Sequence, residues 1–258
     1  MRKILVLICL SATLATAQTK PSETKPAEAT SAQQTAAPES YPVWWEPSIL
    51  GLEKLVDVDA QLAEPFSPDD LSDLRDMAHH FSGPSQPEVH NCKELLAVID
   101  PDDYRSLNRV NVWGQIGVRC AELRELSHAV PALHSAVRGT KWTNRLFSQL
   151  PAGIAYADDE NTHQDVLKAE KNGLSLLQYW KGKGSHSIGI DGQAILLRTN
   201  AVSDDGYNVV ARGDFNGDGW EDLMIDVGGG SGPAIYHSAF IVTRKSTNER
   251  FVLVKTIF

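Results

Sequence analysis

The spacing of apolar residues changes once along this chain, at Gly182-Lys183-Gly184, and that change limits the folds open to it. Before it, apolar side chains recur at three- and four-residue intervals, as on one face of a helix. After it they fall into short runs punctuated by Asp-Gly pairs, as in strands joined by turns. Ile49, Leu52, Leu55 and Val56 form the first helical face. Ser67-Pro68-Asp69-Asp70 is a helix start, with a Ser cap, a proline at the first helical position and acids in the first turn. The helix it opens carries Leu71, Leu74 and Met77 inward and stops at Ser82-Gly83-Pro84. Further helices are expected over Cys92 to Ile99, from Asp100-Pro101-Asp102 to about His128, and from Pro131 through Leu133, Val137 and Trp142 to Leu150. Asp165 to Trp180 has weaker helical periodicity. Ser187 to Ile190, Ala194 to Thr199, Tyr207 to Ala211, Leu223 to Val227, Ile235 to Thr243 and Phe251 to Ile257 read as strands. Asp191-Gly192 and Asp204-Asp205-Gly206 are the expected turns, since Asp and Gly tolerate positive φ. Helices first and antiparallel strands afterwards is the order of an α+β fold, here a mainly helical region over 41–184 and a β region over 185–258.

One stretch of the β region carries chemistry: Gly213-Asp214-Phe215-Asn216-Gly217-Asp218-Gly219-Trp220-Glu221-Asp222-Leu223. Ca²⁺ takes six to eight oxygen ligands at about 2.4 Å. Asp214, Asn216 and Asp218 offer side-chain oxygens at positions 1, 3 and 5 of a tight loop, and Gly219 at position 6 allows the reversal that brings in the carbonyl of Trp220. Asp222 at position 9 closes the cage, directly or through water. The absence of sulfur and imidazole from this set argues against zinc and copper. An EF-hand would need a Glu at position 12 and a helix on each side; position 12 is Ile225, and both flanks are strand-like. The loop is therefore expected in a hairpin. A solvated acidic turn that binds no metal would use the same residues.

This loop resembles the calcium loop of FG-GAP/VCBS repeats, the blade motif of integrin-α-type β-propellers, whose pattern D-x-[DN]-x-D-G-x-x-D-[LI] is met by Asp214, Asn216, Asp218, Gly219, Asp222 and Leu223. The resemblance implies Ca²⁺ held between strands for stiffness, often in extracellular recognition proteins. It covers about 15 to 30 residues, and no second copy of the loop is found, so the metal site is carried over and the propeller is not.

The N-terminus bears on the compartment. Arg2 and Lys3 precede a short apolar run from Ile4 to Leu14, and Ala15-Thr16-Ala17 supplies the small residues of a signal-peptidase site. A signal peptide over 1–17 predicts a periplasmic or secreted protein; Cys9 leaves too little apolar run before it for a lipoprotein signal. Residues 18–40 hold no aromatic or large aliphatic side chain and read as a disordered tether. Tyr41-Pro42-Val43-Trp44-Trp45 then docks the start of the folded part, or forms an exposed aromatic patch. The net charge of −9 becomes −11 without Arg2 and Lys3, which provides no electrostatic footprint for nucleic acid or an anionic membrane surface. No later stretch is long and apolar enough for a membrane span. Cys92 and Cys120 remain as a pair, read as one disulfide in an oxidising compartment, with two buried thiols as the alternative.

Motifs for nucleophilic, zinc-hydrolase or dinucleotide chemistry are missing. His79-His80 point about 100° apart on a helix, and His128 and His134 are six apart, so neither pair suits a shared metal. His186 between Ser185 and Ser187 would need a distant Asp, and Asp158-Asp159-Glu160 a further acid, to do hydrolytic work. The glycine run Gly228-Gly229-Gly230-Ser231-Gly232-Pro233 has no Lys beside it and reads as a strand connection rather than a phosphate cradle. Two functions stay open: a non-enzymatic binding protein of the cell envelope, inhibitor- or immunity-like, with Ca²⁺ stiffening the β region; and a hydrolase with a dispersed active site and structural calcium.

Overall fold

The computed structural model describes residues 40–46, 57–71, 89–98, 111–138, 143–157, 160–184, 187–191, 194–198, 204–229 and 236–257. The expected signal segment, the tether up to residue 39, the helical face Ile49 to Val56, Ser82-Gly83-Pro84, Asp100-Pro101-Asp102, Trp142 and Gly230 to Pro233 lie outside the described residues.

Within them the chain is α+β. A short strand β1 (Trp44–Trp45) precedes α1 (Val58–Ala63), α2 (Cys92–Val98) and the long α3 (Asn111–His128). A single turn α4 (Asn144–Phe147), a 3₁₀ turn (Ala152–Ile154), α5 (Glu160–Lys171) and α6 (Leu176–Gly182) follow. Then come β2 (Ser187–Asp191), β3 (Ala194–Arg198), β4 (Asp204–Gly213), β5 (Asp222–Gly229), β6 (Tyr236–Thr243) and β7 (Val252–Thr256). The last six strands form an antiparallel meander in sequence order, and β1 adds to β4. β4 is long enough for two partners on one edge: Asp204 to Asn208 pair with β3, while Ala211 and Arg212 pair with Trp45 and Trp44. The opening aromatics thus dock on the sheet, with Trp45 buried.

Both faces of the central strands β4 to β6 are covered, which explains the near-continuous apolar runs of β5 and β6. Tyr207, Val209, Leu223, Ile225, Val227, Phe240 and Val242 share one core with Phe147, Leu150, Ile154, Val166 and Leu176. Val210, Ala211, Met224, Ala239 and Ile241 share the other with Leu62, Cys92, Leu95, Cys120 and Leu123. A β-bulge between Val209 and Ala211 shifts the register, so the consecutive residues Val210 and Ala211 both serve the second core. There Cys92 of α2 and Cys120 of α3 are joined by a disulfide with Cα atoms 5.1 Å apart.

Local signals placed several helix ends. Ser67 Oγ accepts the Asp70 amide at 3.1 Å while Asp70 Oδ2 accepts the Ser67 amide at 3.2 Å, and the helical residues 68–71 follow. Asp165 to Trp180 is two helices rather than one. Gly173 at φ 67° ends the first, and a reciprocal Ser175/Gln178 capping box starts the second.

Three further expectations are corrected. Asp204-Asp205-Gly206 is not a turn: these residues are part of β4, paired with Arg198, Leu197 and Leu196. Pairing with β3, and at Gly206 with β5 as well, outweighs their turn preference. Nor does a helix start at Pro131. Residues 129–138 run as an irregular strap whose backbone bonds go to Tyr41 and to the loop after β4. Leu133 and Val137, spaced as on a helix, do different things, since Leu133 is 53% exposed and Val137 is fully buried. Gly228 and Gly229 belong to β5, opposite His237 and Tyr236, and not to the connection after it.

Candidate metal site

The loop after β4 closes a hairpin in which Gly213 pairs with Asp222, as strand-like flanks require. Asp214 organises it. The residue is 4% exposed, and its carboxylate accepts three loop amides: Gly217 at 2.7 Å and Asp218 at 3.2 Å on Oδ1, and Gly219 at 2.8 Å on Oδ2. Asn216 Oδ1 accepts the Asp218 amide and Asp218 Oδ1 the Trp220 amide, both at 2.9 Å, so each alternate residue folds its oxygen back onto the chain two residues on. Gly217 and Gly219 take φ 76° and 83°. A Cβ on Gly219 would meet nothing nearer than Leu133 Cδ1 at 3.8 Å, so backbone conformation and not space calls for glycine there.

Asp222 lies under the loop, fully buried. Its Oδ2 accepts the Phe215 amide at 3.1 Å, while its Oδ1 is buried without a hydrogen-bond partner. Burial pushes this carboxyl up to about 6; the Thr243 hydroxyl and the Phe215 amide oppose the rise, and the charges of Asp218 and Asp214 add to it. Thr243 Oγ1 is likewise buried without a hydrogen-bond partner.

The donors fit calcium in kind: they are all oxygen, held by amides that leave lone pairs free, and one buried carboxylate oxygen is unsatisfied. They do not converge in this conformation. Among the described residues no three His, Cys, Asp or Glu side chains form a group that could hold a metal ion. Asp218 Oδ2 lies 3.1 Å from the ammonium of Lys245, in the connection between β6 and β7. Lys245 was not foreseen from the sequence, because only the meander brings that connection beside the loop.

The strap was likewise missed. It reaches the loop from the end of α3, and the His134 ring lies 5.1 Å from that of Trp220. Ser135 Oγ donates to the buried carboxylate of Glu221. Pro131, read as a helix start, was the one available signal, since proline equally suits an extended segment.

The remaining candidates are scattered. His128 Nδ1 is 2.8 Å from the Arg124 carbonyl, a helix-end contact. His79, His80, His186, Asp158 and Asp159 lie outside the described residues, and Glu160 opens α5. A second acidic group emerges on the α3 face of the sheet, where Glu122 of α3 and Asp226 of β5 are both buried. Glu122 Oε1 and Asp226 Oδ1 lack hydrogen-bond partners, and His237 Nδ1 stands 3.7 Å from Asp226 Oδ1. Burial, and then the Asp226 charge, raise the Glu122 carboxyl well above the ordinary carboxylate range.

No protein-family model matches this chain, and no curated protein or solved structure matches it. The fold and site define an α+β protein with an oxygen-lined hairpin loop, and the loop's chemistry has to be judged on its own residues.

Proposed function

We propose that this is an exported calcium-binding protein that acts by binding a protein partner in the cell envelope, with Ca²⁺ stabilising the β region. The observation that carries the calcium reading is the unpartnered Oδ1 of Asp222, buried beneath a loop whose other donors, Asp214, Asn216 and Asp218, are also oxygen. A bound cation would supply the partner this atom lacks and neutralise three neighbouring carboxylates. Asp218 would turn Oδ2 from Lys245 to the ion, and the Trp220 carbonyl would complete the set. The Cys92–Cys120 disulfide is compatible with an oxidising compartment, and among the described residues no helix is long and apolar enough to cross a membrane.

Isothermal titration of the metal-stripped chain tests the first part. Calcium uptake at or below millimolar concentration, lost in Asp218→Ala, is the expected result; no heat at that concentration sinks the calcium reading. For the binding role, capture from envelope extract should return one stoichiometric protein. Turnover of a polymeric substrate that is lost on chelation, with no such partner, would replace it by the hydrolase reading.

A further inference from the structure

The strap between α3 and α4 meets the loop through a ladder of backbone hydrogen bonds, beside the side-chain contacts of His134 and Ser135. Val130 and Asp214 exchange two hydrogen bonds, at 3.1 and 2.9 Å. The amides of Leu133 and His134 both donate to the Gly219 carbonyl at 2.9 Å, and the His134 carbonyl accepts the Glu221 amide at 2.8 Å. On its other side Ala132 exchanges two bonds with Tyr41, at 2.7 and 2.9 Å, which ties the strap to the start of the folded chain. Apolar burial does not hold the strap's outer side chains, because Val130 and Leu133 are 48% and 53% exposed.

These bonds have a directional consequence. A trans peptide points its C=O and N–H in opposite directions, and the described chain has no cis bond. The Gly219 carbonyl points at the strap, so the Trp220 amide of the same peptide points away from it, and that amide reaches Asp218 Oδ1. The Asp218 carboxylate therefore lies on the side opposite the strap. In the next peptide the Glu221 amide points at the strap, so the Trp220 carbonyl is turned away from it, to the side of the Asp218 carboxylate. Ser135 braces the same peptide through the Glu221 side chain, while its hydroxyl accepts the amides of Val137 at 3.2 Å and Arg138 at 2.9 Å.

We propose that Val130 to Ser135 is a positioning strap for the metal site, orienting the Trp220 carbonyl as a ligand and coupling calcium affinity to the docking of a segment some eighty residues upstream of the loop. The inference rests on the calcium reading and extends it: the loop motif contains four side-chain donors, but its backbone donor is aimed from outside the motif. Residues that orient ligands without touching the ion commonly change metal affinity by about 10- to 100-fold when lost. Coupling is reciprocal, so calcium must also hold the strap in place.

The test uses the full chain. Amide hydrogen exchange at Leu133, His134 and Glu221 is compared in excess EGTA and in calcium, and calcium titrations are run on the parent chain, Ser135→Ala and Ser135→Thr. Slower exchange at all three amides in calcium is expected, with affinity about tenfold weaker in Ser135→Ala and retained in Ser135→Thr. A parent chain that takes up no calcium defeats the calcium reading and this inference together. A parent chain that binds calcium with strap amides unchanged in exchange, or with Ser135→Ala binding as tightly as the parent, overturns the strap alone. The exchange measurement needs no variant, so it decides the matter even where Ser135→Ala fails to fold.

Discussion

Replacing Asp214 by alanine separates the loop's own architecture from its affinity for metal. The substitution removes a carboxylate that accepts three amides, two at 2.7 and 2.8 Å and one at 3.2 Å, from a residue that is 4% exposed. A hydrogen bond to a charged group contributes about 1.5–3 kcal/mol. Gly217 and Asp218 are exposed, so water replaces part of what their amides lose, whereas Gly219 is half-buried. The expected cost without metal is therefore about 2–4 kcal/mol, or roughly 5–15 °C in melting temperature for a body of this size. Asp214→Asn should cost less: one oxygen still serves Gly217 and Asp218, but its amide nitrogen would face the Gly219 N–H, donor against donor. Calcium at a hundredfold its Kd adds about 2.7 kcal/mol to the parent, and neither variant should gain as much. The assay is thermal or urea unfolding in EDTA and in calcium. A shift below about 2 °C for Asp214→Ala in EDTA refutes the amide-cap argument. Equal shifts in both buffers refute the role of Asp214 in metal binding.

Lys245→Met, which removes the ammonium 3.1 Å from Asp218 Oδ2, should tighten calcium binding several-fold in a titration at low salt, and an unchanged Kd would mean that Lys245 is no competitor. Glu122 is held above 4.5 by burial, with the Asp226 charge adding to it, so the folded protein keeps a proton that the unfolded chain releases. Its contribution to stability is therefore complete below about pH 4.5 and is lost as pH climbs toward the folded value, a slope of at most about 1.4 kcal/mol per pH unit. Glu122→Gln should raise the melting temperature more at pH 7 than at pH 4; equal shifts at both would show that its ionisation is not the cause. Reducing the Cys92–Cys120 bridge, which spans 28 residues, should cost about 3 kcal/mol in unfolding experiments with and without reductant, and a cost near zero would show that the bridge does not constrain the unfolded chain.

Much of the fold was legible because its signals are local. The Ser67 and Asp70 exchange, the Asp214 to Asp222 loop in a hairpin and the end of α3 at His128 each depend on residues within one or two turns of each other. Where the reading failed, long-range pairing had overridden local preference. Asp204-Asp205-Gly206 has the composition of a turn, but β3 offers all three backbones a partner and β5 pairs with Gly206 on the other edge. The spacing of Leu133 and Val137 is helical, yet the amides of Leu133 and His134 bond to Gly219, some eighty-five residues further along the chain. The charge interaction between Glu122 and Asp226 was invisible for the same reason, since nothing in either segment announces that α3 packs on the sheet.

The sequence by itself determined the α+β order, the cysteine pair and the identity of the loop's oxygen donors. Those properties follow from side-chain chemistry and from spacing along a few residues. Tertiary structure alone decided which loop oxygens are satisfied, which cation faces Asp218, and which peptide plane turns the Trp220 carbonyl. Each of these depends on atoms brought together from distant segments by the closing of the sheet, and the energy of such contacts is set by distance in space, which residue order does not encode locally.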